Sequence, residues 1–236
     1  LCSEPITTVV GNPGKKFFVH ETLLRTNSAF FEKALGSNWK ESNEKDVKLP
    51  EVDPEDFNAY LRWLYTGRLY LIKHDDDDDD HDDDGDDTIG EEFKLRGEWG
   101  RWAEYYKLGD FVQDSGFQDA LVDALIERVL EKYHYPIFLP PIVYKHSTSG
   151  SIHRKLLVDL VVCVWDHEHF SMLSEPAYGN PVEYLGDILR DLGPKLKEGL
   201  EYQTLEEFLD GKSSCHYHEH RRLGKPCYKA KPGPRF

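Results

Sequence analysis

Gly11-Asn12-Pro13-Gly14, followed by Lys15-Lys16-Phe17-Phe18-Val19-His20 and then Glu21-Thr22-Leu23-Leu24, decides how this chain folds. Ile6 to Val10 and Lys16 to His20 are short apolar runs, and the Gly/Asn/Pro connection between them is hairpin punctuation. The period then changes from strand to helix. Glu21 to Leu24 opens a first short helix, and Ser28 is a candidate N-cap for a second, with Phe31, Ala34 and Leu35 on one face and Gly36 at its stop. Asp46-Val47-Lys48-Leu49-Pro50 alternates polar and apolar residues, which predicts a third strand ended by proline. Asp53-Pro54-Glu55 supplies a capping carboxylate, a first-turn proline and an acid, so a helix carrying Phe57, Tyr60, Leu61, Leu64 and Tyr65 is expected up to Gly67.

The 236 residues are 39% hydrophobic and include five Trp and thirteen Tyr, ample for a core in one large domain or two small ones. The net charge of -15 is local. Eleven aspartates lie between Asp75 and Asp87, which leaves -4 for the rest of the chain. No basic stripe is present to neutralise phosphates, so nucleic acid is not expected as a direct partner. The longest apolar run, Leu156 to Trp165, is about half of a bilayer span, which reads as a core helix and not a membrane anchor. Four cysteines in a chain of this length are no disulfide framework, which points to an intracellular compartment, nucleus or cytoplasm. Leu1 is not an initiator methionine, so the true start is expected upstream.

From Lys73 to Glu92 the chain is nearly pure Asp, with two histidines and two glycines. Like charges in a row repel, and a disordered loop is expected there. The alternating ligands, glycine and terminal glutamate of a calcium loop are not found in it. Beyond it, Trp99, Trp102, Tyr105, Tyr106, Leu108, Phe111 and Val112 predict an amphipathic helix ahead of a turn at Asp114-Ser115-Gly116. Phe117, Leu121, Leu125, Val129 and Leu130 predict the next. Pro140-Pro141 and Ser147 to Ser151 read as loop, Arg154 to Trp165 as an apolar helix, and Val182 to Leu189 as a last amphipathic helix broken at Gly193-Pro194.

Taken together, Phe18-Val19-His20, Leu23-Leu24, Ser28-Ala29-Phe30-Phe31, Trp39-Lys40-Glu41-Ser42, Val47-Lys48-Leu49-Pro50, Asp53-Pro54 with Phe57, and Trp63-Leu64-Tyr65-Thr66-Gly67 resemble the BTB/POZ domain in its filamentous-fungal form. Tyr106-Lys107-Leu108-Gly109-Asp110, Gln113-Asp114, Phe117 and Asp119 to Ile126 resemble the last two helices of that core, and Tyr144, Ser151, His153 to Leu160 and Pro181 to Leu185 its helical extension. The resemblance implies an α/β (α+β) fold, a small mixed sheet flanked by a helical bundle, plus C-terminal helices. It divides the chain into a BTB/POZ domain at 1–135 with the Asp-rich insert at 73–92, a helical extension at 136–200 and a tail at 201–236. It implies a protein-interaction module that self-associates through its first helix and hairpin, with protein partners and no enzyme activity. The segment before Ile6 is shorter than the extension that often helps to hold such dimers. In relatives that recruit a cullin ubiquitin-ligase scaffold, a hydrophobic residue, any residue and a glutamate stand where Trp39-Lys40-Glu41 stands, so Trp39 and Glu41 are candidate partner-binding residues. The other reading of Trp39 is a tryptophan packed on its own domain.

No catalytic constellation is legible. Gly14-Lys15-Lys16 and Gly211-Lys212-Ser213-Ser214 are similar to phosphate loops, but the second has Glu206 where the earlier glycine would stand, and both read as turns. There is no Gly-x-Ser-x-Gly elbow. His20, at the end of a strand, is expected to make a packing hydrogen bond, and Cys163 to sit in a core helix. The tail alone carries ligand chemistry, because Cys215, His216, His218, His220 and Cys227 crowd zinc-competent side chains together. Cys215, His218, His220 and Cys227 are the candidate metal ligands; His218 is preferred to His216 because alternate residues of an extended segment point the same way. The other reading is a disordered tail that happens to be rich in histidine.

Overall fold

The computed structural model describes residues 3–36, 46–71, 97–132, 137–165, 169–199 and 201–230. Strands β1 (Pro5–Val10) and β2 (Lys15–His20) form the hairpin, with Ile6 opposite Val19 and Thr8 opposite Phe17. Ile6, Thr8 and Val10 alternate into the core. Strand β3 (Asp46–Leu49) pairs parallel to β1, giving a mixed sheet in the order β2-β1-β3. A parallel partner needs a crossover, and helices α1 (Glu21–Asn27) and α2 (Ala29–Ala34) stand within it. Ser28 caps α2 by accepting from the Phe31 N–H at 3.1 Å, and its hydroxyl donates to the Val112 carbonyl at 2.5 Å. One buried hydroxyl thus joins the crossover to the helices that follow. His20 Nδ1 lies 2.8 Å from the Tyr65 hydroxyl, a packing bond at the strand end.

Helix α3 (Pro54–Thr66) begins and ends as its sequence dictates. Asp53 accepts from the N–H groups of Glu55 and Asp56, Pro54 occupies the first turn, and Gly67 takes the left-handed conformation at φ 69° that closes it. Its inner face stacks Tyr60 on Trp63 and sets both against Phe117. The Tyr60 hydroxyl donates to Asp114 at 3.0 Å, so this buried phenol is not left unpaired. Asp56 sits in the first turn of α3, where burial, and then Asp53, Glu104 and Glu55, push its carboxyl up to about 6. A raised folded value means that the native state binds the proton more tightly than the unfolded chain. Asp56 therefore favours the fold at low pH and opposes it increasingly as pH rises from about 4 to about 6. Asp56→Asn is expected to gain about 1 kcal/mol in urea unfolding at pH 7, after discounting for partial exposure and the favourable helix N-terminus, and to gain nothing near pH 4.

Helices α4 (Gly97–Phe111) and α5 (Ser115–Lys132) pack side by side. The turn between them comes earlier than Asp114-Ser115-Gly116: Gln113 takes the bend at φ 55°, and Asp114 caps α5 by accepting from the Phe117 N–H at 3.0 Å. Pro140-Pro141, expected in a loop, lie inside α6 (Leu139–Lys145), because prolines in a first turn give up only N–H groups that have no helical partner. Helix α7 (Ile152–Val164) is capped by Ser151 and is buried on most sides. Its Cys163 is half-buried against the core, with the Lys195 ammonium 3.0 Å from its sulfur. Helix α8 (Val182–Glu198) does not break at Gly193-Pro194 but runs through it. Pro194 is on the exposed side and Gly193 has no side chain for the ring to strike, while Lys195 anchors the last turn to Cys163 and Asp191.

Residues 201–230 add further short helices and turns. Helix α9 (Leu205–Leu209) carries a capping box from Thr204 and Glu207, and α10 (His220–Leu223) follows a run of turns. Leu205, Phe208 and Tyr217 are buried in the same apolar cluster as the sheet and α3 to α5. No helix among the described residues is long and apolar enough to cross a membrane. The Asp-rich insert at 73–92 lies outside the described residues.

Candidate metal centre

Cys215, His218, His220 and Cys227 are brought together, one ligand-competent atom from each lying within 4.8 Å of every other. Residues 214–217 form a turn, in which the His218 N–H donates to the Cys215 carbonyl at 3.3 Å. His220 opens α10, whose end at Gly224 is left-handed and sends the chain back to deliver Cys227. The two sulfurs are 3.6 Å apart, and Cys227 Sγ is 3.8 Å from His218 Nδ1. The extended geometry expected for this segment is absent. His218 is selected over His216 by its surroundings: it is 1% exposed and its Nε2 is 2.9 Å from Asp123 Oδ1, whereas His216 is exposed and lies edge-on to Tyr217.

Asp119 and Asp123, four residues apart on one face of α5, hold this segment. Asp123 also accepts from the Tyr228 hydroxyl and from the Lys229 ammonium at 2.8 Å. Burial pushes its carboxyl up, but hydrogen bonds from His218, Lys229 and Tyr228 outweigh burial and keep it below the usual carboxylate range. Asp119 is fully buried and accepts from the backbone N–H groups of Glu219 at 2.7 Å and His220 at 3.3 Å. It also takes His153 Nε2 at 2.9 Å, while the Tyr106 hydroxyl meets His153 Nδ1 at 2.8 Å. Burial holds the Tyr106 phenol far above its ordinary value. It therefore stays protonated beside the His153 ring. The chain of Tyr106, His153 and Asp119 ends on backbone amides, and all three residues are sealed from solvent. Its role is to fasten the tail.

Glu219, between the two histidines, accepts from the Ile152 N–H at 3.0 Å, a free donor in the first turn of α7. The Tyr217 hydroxyl donates to Asp159 of α7 at 3.0 Å. The ligand-bearing segment is thus tied to α5 and α7 together. Burial pushes the Cys227 thiol up, and the neighbouring Cys215 adds to it. His220 Nε2 is buried and has no hydrogen-bond partner among the described residues. Sequence reasoning missed Asp119, Asp123 and Glu219; the signal available for the first two was a pair of carboxylates at helical spacing in the otherwise apolar stretch from Asp119 to Ile126.

Trp39 and Glu41, the candidate partner-binding residues, lie outside the described residues, so the site described in side-chain detail is the one in the tail. Residues 5–80 match the family model of the BTB/POZ domain. The chain is 31% identical over 61 residues to Armadillo BTB Arabidopsis protein 1 of Arabidopsis thaliana, a match that spans 26% of this chain and 8% of that protein. A hairpin, two short crossover helices, a third strand parallel to the first and the capped helix α3 all fall in the matched span. Residues 5–80 of this chain are a BTB/POZ domain, a fold of protein–protein interaction.

Proposed function

We propose that this chain is a self-associating scaffold or regulator, a BTB/POZ domain of the filamentous-fungal type followed by a helical extension at 136–200 and a tail at 201–236. The extension is supported by the work that its resembling residues do. Ser151 caps α7, the Tyr144 hydroxyl donates to Asp187 of α8 at 2.8 Å, and Arg154 donates to the Tyr144 carbonyl at 2.6 Å.

The observation that carries self-association is an uncovered seam on α8. Tyr184 and Ile188 face inward and Leu192 packs against the core, but Val182, Leu185, Leu189 and Leu196 lie in steps of three, four and seven residues along another face. Val182, Leu189 and Leu196 are 85%, 68% and 61% exposed. Apolar residues at this repeat make a helix-pairing seam. Gly186 and Gly193 flank it with open space where a side chain would stand, so a second helix can approach closely. The occupant is a second copy of this chain, antiparallel. Reversal about Leu189 sets Val182 against the partner's Leu196 at both ends.

Light scattering of the full chain at micromolar concentration should give twice 27.4 kDa. Leu189→Glu, at an exposed position, should return the mass to one chain while keeping the far-UV circular dichroism of the folded parent. Phe18→Glu tests the hairpin in the same way, since Phe18 on β2 is 72% exposed. A parent that stays at 27.4 kDa at every concentration overturns self-association. The alternative is a substrate adaptor for a cullin-type ubiquitin ligase, working through Trp39 and Glu41. Capture of a cullin by the parent and its loss in Trp39→Ala and Glu41→Ala, with melting unchanged, would replace the scaffold by the adaptor.

A further inference from the structure

We propose that Cys215, His218, His220 and Cys227 bind one zinc ion in a closed site that locks the C-terminal segment onto α5 and α7. The site lies outside residues 5–80 and stands independently of the scaffold reading. Two thiols and two imidazoles are the donor set that tetrahedral zinc favours over the oxygen-preferring magnesium and calcium. With Zn–S bonds of about 2.3 Å, two sulfurs on one tetrahedral ion are roughly 3.8 Å apart. Cys215 and Cys227 stand at 3.6 Å. A sulfur and an imidazole nitrogen on the same ion are roughly 3.5 Å apart, against 3.8 Å for Cys227 Sγ and His218 Nδ1.

The histidines are arranged for it. Asp123 takes the Nε2 side of His218, which turns Nδ1 towards the sulfurs, the carboxylate–histidine–metal relation that orients a ligand ring. His220 Nε2, buried without a partner among the described residues, is a polar atom whose cost a metal bond would remove. A disulfide between the cysteines would need the sulfurs to close from 3.6 Å to a bond of about 2.05 Å and would leave that nitrogen unpaired. Two thiolates neutralise the dication, so the half-buried site carries no net charge. All four positions are filled by the protein, which makes the ion structural, with no open place for water or substrate. Glu219 stands between the two histidines and bonds the first turn of α7, so fixing His218 and His220 fixes that bond as well.

Elemental analysis of the full chain, purified without chelator, should find about one zinc per chain. Replacement by Co2+ should give the intense visible bands of a tetrahedral ion and a sulfur-to-cobalt charge-transfer band. Cys227→Ser and His220→Ala should lose both the zinc and the bands, while His216→Ala, one residue from Cys215 and outside the cluster, should keep them. Asp123→Asn should weaken zinc about 10–100-fold in competition with a chromophoric chelator. Zinc below a tenth of an equivalent, together with no cobalt spectrum on titration, overturns the proposal. So does a Cys215–Cys227 disulfide found by mass spectrometry in freshly purified chain, or cobalt bound without the charge-transfer band. If Cys227→Ser does not fold, the cobalt spectrum of the parent still decides.

Discussion

Asp119→Ala is expected to lower stability by about 3–5 kcal/mol and to free the chain beyond Gly211 for proteolysis. The size follows from what is left behind. The side chain is fully buried and serves three donors, the N–H groups of Glu219 and His220 and the His153 ring. Alanine would leave all three without an acceptor in a site that water does not reach, and each orphan costs about 1–3 kcal/mol before relaxation. Relaxation here means release of the tail, which also gives up the burial of Tyr217 and Phe208. Urea unfolding measures the first effect. Trypsin, which cuts after Arg221 and Arg222 once the segment lifts, measures the second. A loss under about 1 kcal/mol with unchanged cleavage would show that the tail is held by other contacts. His153→Phe is a useful companion, since it removes one donor and keeps the backbone anchors, and should cost less.

Trp102→Ala is expected to cost about 3–5 kcal/mol and Trp102→Phe about 1–2 kcal/mol. Trp102 is fully buried, stacks on Tyr106 at 5.0 Å with planes 12° apart, and donates from Nε1 to the Leu121 carbonyl of α5 at 2.7 Å. The alanine variant loses the stack, the bond and the volume of the indole, whereas phenylalanine loses chiefly the bond. This ring joins α4 to α5, the helix pair beyond the span that matches the family model. Unfolding followed by far-UV circular dichroism therefore also reads domain organisation. A single transition shifted as a whole makes the pair part of one cooperative unit with the sheet, while a second transition appearing alone would show that it unfolds apart from residues 5–80.

Helix α3 was legible from its own residues because its signals are local: Asp53, Pro54 and Gly67 act on backbone groups one to four residues away. The same holds for the hairpin, whose strands are joined by four turn residues. Four potential metal ligands were also legible, by residue type. What the residues could not say is how distant parts meet. Proline illustrates the limit, since Pro140, Pro141 and Pro194 mark a missing N–H but not whether the fold asks for it. Those in α6 fall where no helical acceptor is lost, and the one in α8 stands in a helix held by contacts at its ends. The third strand was readable as a strand, yet its parallel pairing with β1 needed the crossover. Tertiary structure alone decided the geometry of the tail. His218 is placed by a carboxylate ninety-five residues earlier, and the backbone of Glu219 by another a hundred residues earlier. Caps and turns are chosen by energies acting within a few bonds along the chain, whereas a buried carboxylate finds its donors only after the helices that carry them have packed.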